Sequence, residues 1–390
     1  MKKVISLILV IAILCTFSVS AEERSLTLEE CIQKEAAYSQ ILKEFRERFS
    51  EELHGEFFFD ENSDLHLNVV PEKMTDEMKA FLKEQDQLLR ESKLTPNGII
   101  LEEVSFTLAQ LNEINDRIIK GLDWNKAGVN SVGVDIKKNC VSIGVNDPNS
   151  RSLRAAVSLS DYPEGSVEIE KTEPFMMELG GPEEERAEAE DSDATPYAYA
   201  KEVLPGRKLH IGSNNYWTSS WGVLYQGKKC YLMAGHNNNL NENVFYDGVN
   251  IGKIIFTRVG SGLDCALIER ADSAKTMGRT LPNGYALTYA EIKQEFAVGQ
   301  TVTMHGATSG TRTGRITLLN RTINYVTINK TVGGVIIADY SAALGDSGAP
   351  VVCESRPLGI QIGVGVNNSY TAILPLKSIV TELGISLYDF

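Results

Sequence analysis

The sequence predicts an N-terminal α+β unit followed by an all-β unit, and three observations carry this prediction. Apolar residues recur at helical spacing over much of residues 27–121. After residue 200 they form short runs bounded by Gly, Asn and Ser, which is typical of a β-barrel or sandwich. Between the two units, residues 183–194 are rich in acidic side chains and hold no large apolar residue. A chain of 390 residues is also too long for one ordinary core.

The N-terminal unit, residues 22–182, is predicted to contain three helices and then strands. The helices are expected at residues 27–53, 73–93 and 106–121. The period then changes, and Ser131–Ile136 with Cys140–Val145 predicts a hairpin. Ser166–Ile169 is expected to add a strand.

The second unit, residues 201–390, is predicted from nine short apolar runs and a closing helix at Leu376–Leu383. The runs are Trp221–Tyr225, Cys230–Met233, Lys253–Phe256, Cys265–Ile268, Thr301–Met304, Gly314–Leu318, Gly334–Ile337, Pro350–Val352 and Gly359–Ile362. The acidic stretch before them, residues 183–200, lacks the apolar surface needed for packing. It is expected to be an exposed linker that contains a cleavage site.

The first 21 residues have the pattern of a signal peptide. Met1–Lys3 is basic, Val4–Phe17 is nearly all apolar, and Val19–Ala21 ends in small residues that suit a signal peptidase. The apolar run is too short for a comfortable membrane span. The sequence therefore predicts a secreted, extracellular and soluble product without a membrane partner.

Cysteine use and charge exclude several classes of site. The five cysteines after the signal are few, odd in number and without metal-like spacing, so no metal or cofactor is expected. At most one disulfide is expected, among Cys230, Cys265 and Cys353. Residues 22–200 hold 19 Lys and Arg against 39 Asp and Glu, whereas residues 201–390 hold 17 against 13. This asymmetry favours association of the two units, although the acidic half can equally be a solvated surface. The weak positive charge of the second unit is too diffuse to indicate nucleic-acid binding.

Three segments of the second unit carry residues suited to nucleophilic catalysis. His236 follows the strand that ends at Met233, Asp264 opens another apolar run, and Ser347 lies in the glycine-flanked turn Gly345–Pro350. A serine hydroxyl needs a base to accept its proton, and a buried carboxylate orients the histidine that acts as that base. Each segment alone is a modest signal. Together, in the order His, Asp, Ser, they predict a catalytic triad, and this order differs from that of subtilisins and α/β-hydrolases.

Residues 200–390 resemble the bacterial branch of chymotrypsin-like serine proteases, the α-lytic protease and streptogrisin group. Besides the triad segments, Val302–Thr317 resembles that group's Ser-Gly-x-Thr-Thr-Gly-x-x-x-Gly-x-Val/Ile segment, and Leu383–Leu387 resembles its ending. The resemblance implies two six-stranded antiparallel β-barrels with the triad between them. It also implies hydrolysis of protein or peptide substrates through an acyl-enzyme, by a monomer.

The same resemblance assigns further roles by position. The N–H groups of Gly345 and Ser347 are expected to form the oxyanion hole. The strand that binds substrate backbone is expected to be Gln361, Ile362, Gly363 and Val364. Residues 22–182 fit in size and position the pro-region that assists folding of such proteases and then inhibits them.

The sequence also departs from that group. Asn237 stands where relatives usually have a cysteine, so their usual disulfide is absent. Ile362 stands where relatives have a serine that supports the triad aspartate, and Asp264 is expected to lose that hydrogen bond unless another donor replaces it. Val364, where many relatives have glycine, is expected to narrow the S1 pocket and favour small or medium uncharged P1 residues. His305 is expected to be structural, although histidines help Glu-specific relatives bind substrate.

Two alternatives remain open at this point. The chain is either an active endopeptidase or a catalytically weak or inactive binding module on the same fold, and the departure at Ile362 is what favours the second. Residues 22–200 are either a pro-region or a separate adhesion or binding domain. Self-maturation near Tyr197–Ala200 is expected if the enzyme processes itself through a narrow pocket.

Overall fold

The computed structural model is mostly β, with most of its helical residues in the first third of the chain. It describes residues 26–91, 95–177, 202–211, 215–271, 281, 292–367 and 369–388. The predicted signal peptide at 1–21 and the predicted linker with its maturation site at 183–200 lie outside the described residues. Residues 26–177 are called the N-terminal region below, and residues 202–388 the C-terminal region. The predicted fold class, an α+β region followed by an all-β region, is confirmed.

The predicted helices are present with small shifts at their ends. They are α1 (Leu28–Arg48), α2 (Asp76–Glu91), α3 (Leu108–Gly121) and α6 (Leu376–Leu383). Two short helices, α4 (Trp124–Ala127) and α5 (Arg151–Ala156), were not predicted. A capping box starts α1, because Thr27 Oγ1 accepts from the N–H of Glu30 and the Glu30 carboxylate accepts from the N–H of Thr27. Within the described residues, no helix combines the length and apolarity needed to cross a membrane.

Seven strands belong to the N-terminal region. They are β1 (His54–Phe59), β2 (Leu65–Val69), β3 (Ile99–Glu103), β4 (Val129–Asp135), β5 (Cys140–Val145), β6 (Val167–Lys171) and β7 (Phe175–Met176). The first three form a small sheet that the sequence analysis did not predict, and its buried Phe57 packs against Phe45 of α1. The predicted hairpin is β4–β5, and β6 extends it by parallel pairing with β5.

The first part of the C-terminal region forms an eight-stranded sheet in the order β21-β10-β11-β14-β13-β12-β8-β9. Its strands are β8 (Lys208–Ile211), β9 (Asn215–Thr218), β10 (Gly222–Tyr225), β11 (Lys228–Met233), β12 (Asn243–Tyr246), β13 (Val249–Gly260), β14 (Leu263–Arg270) and β21 (Ser386–Leu387). Successive residues of β11 and β14 alternate between two apolar clusters, as the period of a strand requires. Both faces of these strands are therefore buried.

The second part closes into a ring of six strands. They are β15 (Thr301–Gly306), β16 (Gly310–Tyr325), β17 (Lys330–Ala338), β18 (Pro350–Cys353), β19 (Arg356–Gly365) and β20 (Thr371–Pro375). The order is β15-β18-β19-β20-β17-β16, and β15 also pairs with β16. From β16 the same sheet continues into β4, β5 and β6, so the N-terminal region shares a sheet with the C-terminal region. This ring therefore has six strands, whereas the sheet in the first part of the C-terminal region has eight.

All five cysteines after residue 21 are buried free thiols: Cys31, Cys140, Cys230, Cys265 and Cys353. The one disulfide that the sequence allowed is not formed. Burial raises the pKa of the Cys230 thiol to about 12 and also raises the pKa of the Cys265 thiol. These side chains therefore act as small apolar residues, and the cores carry the stability of the fold.

Candidate active site

His236 lies three residues after the end of β11, where the chain passes close to two neighbouring strands. Gly235 makes this passage possible, because a Cβ atom there would lie 2.5 Å from the carbonyl oxygen of Cys265 and 2.7 Å from that of Arg258. The imidazole is fully buried. The strand β11 and its glycine therefore fix where the histidine ring points.

Asp264 is the second residue of β14 and is also fully buried. Its Oδ1 accepts the backbone N–H groups of Gly235 at 2.9 Å and of His236 at 3.0 Å. Its Oδ2 lies 2.8 Å from His236 Nδ1. A carboxylate only accepts hydrogen bonds, so this contact places a proton on Nδ1 and leaves Nε2 as the acceptor of the neutral ring.

Ser347 lies in the turn between β17 and β18, with its Oγ 2.9 Å from His236 Nε2. Its carbonyl oxygen accepts the N–H of Thr218, and the N–H of Gly348 donates to the carbonyl oxygen of Gln361. Gly348 has φ of +90°, and a Cβ atom there would lie 2.4 Å from the carbonyl oxygen of Thr218. The turn is thus held between β9 and β19, and it brings together the three residues that the sequence singled out.

Asp346 stabilises this turn, because its carboxylate accepts hydrogen bonds from three backbone N–H groups. Its Oδ1 accepts the N–H groups of Thr308 and Ser309, at 2.9 and 3.1 Å, and its Oδ2 accepts the N–H of Ala343 at 3.0 Å. Gly306 leaves the room for this carboxylate, because a Cβ atom there would lie 2.1 Å from Asp346 Oδ1. Sequence reasoning did not single out either residue for this role.

Gly345 has φ of +96°, a conformation that favours glycine. Its carbonyl oxygen accepts a hydrogen bond from Thr218 Oγ1 at 2.7 Å, which orients the backbone beside Ser347. A side chain at 345 would also collide with the ring of Tyr216, 2.2 Å from the Cβ position. The assignment of the Gly345 and Ser347 N–H groups to an oxyanion hole stays a prediction.

Tyr325 is a fourth side chain at the site, and the sequence analysis missed it. Its Oη lies 3.0 Å from Asp264 Oδ2 and 2.8 Å from the carbonyl oxygen of Ile362. Its ring is fully buried, with its centroid 6.3 Å from that of His236. No motif surrounds Tyr325 in the sequence, and the pairing of β16 alone brings it to the aspartate.

The predicted substrate-binding strand is the end of β19. Gln361 is buried, its Oε1 accepts from Tyr340 Oη at 2.8 Å, and its Nε2 donates to the carbonyl oxygen of Gly363 at 2.8 Å. Val364 is buried in the apolar cluster of the six-stranded ring. The side chains of Gln361 and Val364 therefore support the strand from within, and their roles in specificity stay predictions.

A short strand of the N-terminal region lies along this part of β19. In β7, Phe175 pairs with Gly365 and Met176 pairs with Val364, both antiparallel. On its other side, Phe175 pairs with Tyr325 in parallel. The carbonyl oxygen of Pro174 also accepts the N–H of Val366 at 3.2 Å. The N-terminal region thus covers the strand that was predicted to bind substrate backbone.

His305 lies on β15. It is buried, and its Nδ1 is 3.1 Å from Thr311 Oγ1. Loss of solvent lowers the pKa of His305 to about 4. The ring is therefore neutral at physiological pH and does not supply a positive charge.

No family model matches the sequence. Similar proteins include Serine protease 2 of Streptomyces fradiae, 34% identical over 164 residues, which are 40% of this chain and 87% of that protein. Streptogrisin-A of Streptomyces griseus is 34% identical over 166 residues, 42% of this chain and 52% of that protein. Among solved structures, Thermobifida fusca Protease A matches at 23% identity with a TM-score of 0.43, over 49% of this chain and 100% of its own.

Proposed function

This chain belongs to the bacterial chymotrypsin-like serine proteases of the streptogrisin group, which are serine endopeptidases, and we propose that it is a secreted member made as a proenzyme. The catalytic triad in this proposal is His236, Asp264 and Ser347. One observation carries it: Asp264, His236 and Ser347 form a continuous hydrogen-bonded series with contacts of 2.8 and 2.9 Å. These distances are within the range that triad chemistry requires.

The proposed reaction has two stages. As Ser347 Oγ attacks the carbonyl carbon of the scissile peptide bond, His236 Nε2 accepts its proton and then gives that proton to the leaving amine. An acyl-enzyme remains. Water then attacks the ester with His236 as base, His236 returns the proton to Ser347 Oγ, and the carboxylic acid leaves. Asp264 stabilises the imidazolium in both stages, and the N–H groups of Gly345 and Ser347 are proposed to stabilise the oxyanion.

Inhibition by the N-terminal region is supported by the position of β7. Its antiparallel pairing with Val364 and Gly365 uses the backbone edge to which a substrate is proposed to add as a strand. Phe175 is buried and packs against Tyr370 with ring centroids 5.0 Å apart. A substrate therefore has to displace this segment, which is the behaviour of a proenzyme rather than of an enzyme with a separate adhesion domain.

Assistance in folding is supported by two contacts between the regions. The hairpin β4–β5 extends the sheet of the C-terminal region through β16, where Thr322 pairs with Val132 and Ile323 with Ser131. On the other side, α1 presents Arg46, whose guanidinium donates to Glu295 and to the carbonyl oxygen of Phe296. The N-terminal region thus contacts both β16 of the six-stranded ring and the segment that precedes β15. We propose that residues 22–182 act as this folding aid and inhibitor.

Secretion is proposed from the pattern of residues 1–21, and the substrates are proposed to be proteins or peptides with small or medium uncharged P1 residues. Cleavage within residues 183–200 is proposed to release the protease.

Labelling of Ser347 with a fluorophosphonate tests the proposal on the full-length protein. We expect slow labelling of the proenzyme, at least tenfold faster labelling of Phe175→Ala, and none of Ser347→Ala. Truncating a buried phenylalanine typically costs about 3–5 kcal/mol, which is enough to release a short docked segment. Leu159→Ala, at an exposed position, is the matched control and should label as slowly as the wild type. Equal labelling of the wild type and Phe175→Ala would contradict inhibition by β7.

A further inference from the structure

Tyr325 contributes its hydroxyl to a point where two acceptors meet. Its Oη lies 3.0 Å from Asp264 Oδ2 and 2.8 Å from the carbonyl oxygen of Ile362. A phenol carries one proton, and both neighbours can only accept. The hydroxyl is therefore a donor here, and its hydrogen bond to the charged carboxylate is the stronger type of the two.

The two oxygens of Asp264 are held in different ways. Backbone N–H groups of Gly235 and His236 fix Oδ1. At Oδ2, the donors are side chains, namely His236 Nδ1 at 2.8 Å and Tyr325 Oη at 3.0 Å. Without the tyrosine hydroxyl, Oδ2 loses its second side-chain donor and keeps only the hydrogen bond from His236 Nδ1. Ile362, which precedes Gly363, cannot replace this hydrogen bond because its side chain has no donor.

We propose that Tyr325 is a positioning residue of the protease, and that its hydroxyl fixes the Asp264 carboxylate against His236. This inference rests on the proposed function, since it concerns the same triad. In this proposal Tyr325, on β16, donates the hydrogen bond to Asp264 that the side chain of Ile362 cannot give. Tyr325 acts through Asp264 and does not touch the reacting atoms.

The surroundings of the ring are shaped for this role. Gly363 leaves space for it, because a Cβ atom at 363 would lie 3.2 Å from Cε1 and 3.3 Å from Oη of Tyr325. Tyr325 itself pairs with Lys330 of β17, and this register fixes the end of β16 within the C-terminal region. The ring therefore has one position, and a phenylalanine fits there without the hydroxyl.

The test compares Tyr325→Phe with wild type and with Tyr231→Phe in the processed enzyme. Tyr231 is also fully buried, but it lies on β11, where its backbone pairs with Gly222 and Ile268. We expect Tyr325→Phe to lower kcat about three- to thirtyfold, in line with a hydrogen bond to a charged group, with KM within twofold. The rate of fluorophosphonate labelling should fall by the same factor, because this reaction also needs His236 and Asp264 to activate Ser347. Tyr231→Phe should keep kcat within twofold.

A double-mutant cycle separates positioning from general packing. In an Asp264→Asn background, Tyr325→Phe should change labelling by less than twofold, because the hydroxyl acts through the carboxylate. Additive losses, an unchanged kcat in Tyr325→Phe, or a loss confined to KM would each overturn the inference. If Tyr325→Phe does not fold, replacement of Tyr325 by 4-aminophenylalanine restores a donor. Recovery of kcat to within fivefold of wild type is expected, and a folded but inactive protein would contradict the inference.

The result for wild type distinguishes a failure of the proposed function from a failure of this inference. An inactive, unlabelled wild type would count against the proposed function. An active wild type with an unaffected Tyr325→Phe would count against this inference alone.

Discussion

Glu35 of α1 and Thr301 of β15 form a two-point hydrogen bond across the boundary between the two regions. The carboxylate accepts the N–H of Thr301 at 2.8 Å and its hydroxyl at 2.9 Å. Ser63 Oγ and Arg315 Nη1 also donate to Glu35, at 2.9 and 3.2 Å. The side chain of Glu35 is fully buried. The surroundings that set the pKa of this carboxyl group therefore exist only while the two regions are in contact.

Burial raises the pKa of Glu35 above its ordinary value of 4.5, although the hydrogen bonds from Thr301 and Ser63 and the charge of Arg315 oppose this. For an acid with a raised pKa, the stabilising contribution is present in full below the unfolded value and is lost as pH rises through the folded value. We expect the free energy of unfolding of Ser347→Ala proenzyme, relative to that of the same protein with Glu35→Gln, to decrease as pH rises above 4.5. Urea unfolding at several pH values measures this difference. A difference that increases with pH would refute the role of Glu35.

Arg321 is a buried cation that the N-terminal strands cover. Its guanidinium donates to the carbonyl oxygen of Gly133 and to Ser131 Oγ, at 3.2 and 3.0 Å, and loss of solvent lowers its pKa to about 10. Breaking a buried charged contact typically costs about 3–5 kcal/mol. We expect Arg321→Ala to lower the stability of the Ser347→Ala proenzyme by about 3 kcal/mol. Arg312→Ala, at an exposed position of the same strand, is the matched control. Equal urea midpoints for the two variants would contradict the prediction.

Gly306 and Asp346 are in such close contact that a methyl group at 306 must displace the carboxylate. The Cβ position lies 2.1 Å from Asp346 Oδ1 and 2.5 Å from its Cγ. Overpacking of this kind typically costs about 1–3 kcal/mol, and here it distorts the turn that carries Ser347. We expect Gly306→Ala to reduce kcat/KM at least tenfold. In Gly333→Ala, on β17 of the same region, the added Cβ meets only the side-chain oxygen of Thr322, at 3.2 Å, so activity should match wild type. The measurement is kcat/KM for peptide hydrolysis by wild type and by the two variants.

Val364 is proposed to limit the size of the P1 residue. We expect peptides with Ala or Val at P1 to be cleaved faster than those with Arg, Phe or Glu. Val364→Ala removes two methyl groups and should raise the ratio of kcat/KM for Phe over Ala at P1 by about tenfold, the lower end of what one such group contributes in an apolar pocket. Val249→Ala, on β13, should leave this ratio unchanged. A wild-type preference for Arg, Phe or Glu would disprove the pocket assignment.

The three residues of the proposed triad could be singled out in the sequence because each lies in a short local pattern. His236 follows a recognisable strand, and Ser347 lies in a glycine-flanked turn whose positive φ values at Gly345 and Gly348 explain the glycines. Helix α6 was predicted with its observed ends, Leu376–Leu383, because its apolar face and the following Gly384 are both visible in the sequence.

Tyr325 could not be found in this way. Its contact with Asp264 spans 61 residues and depends on the register of a 16-residue strand with several irregularities. The sequence predicted only Gly314–Leu318 of this strand. Very short strands such as β7 and β21, of two residues each, also leave no periodic signal. Their pairing is decided by tertiary contacts rather than by local preference.

Peptidase activity of the secreted protein beside Ser347→Ala, with mass spectrometry of the N-terminus, tests the central proposal most directly. The account predicts that wild type loses the N-terminal region by cleavage within residues 183–200 and hydrolyses peptides, while Ser347→Ala stays unprocessed and inert. A Ser347→Ala protein that still hydrolyses peptides, or a correctly processed wild type that does not, would contradict it.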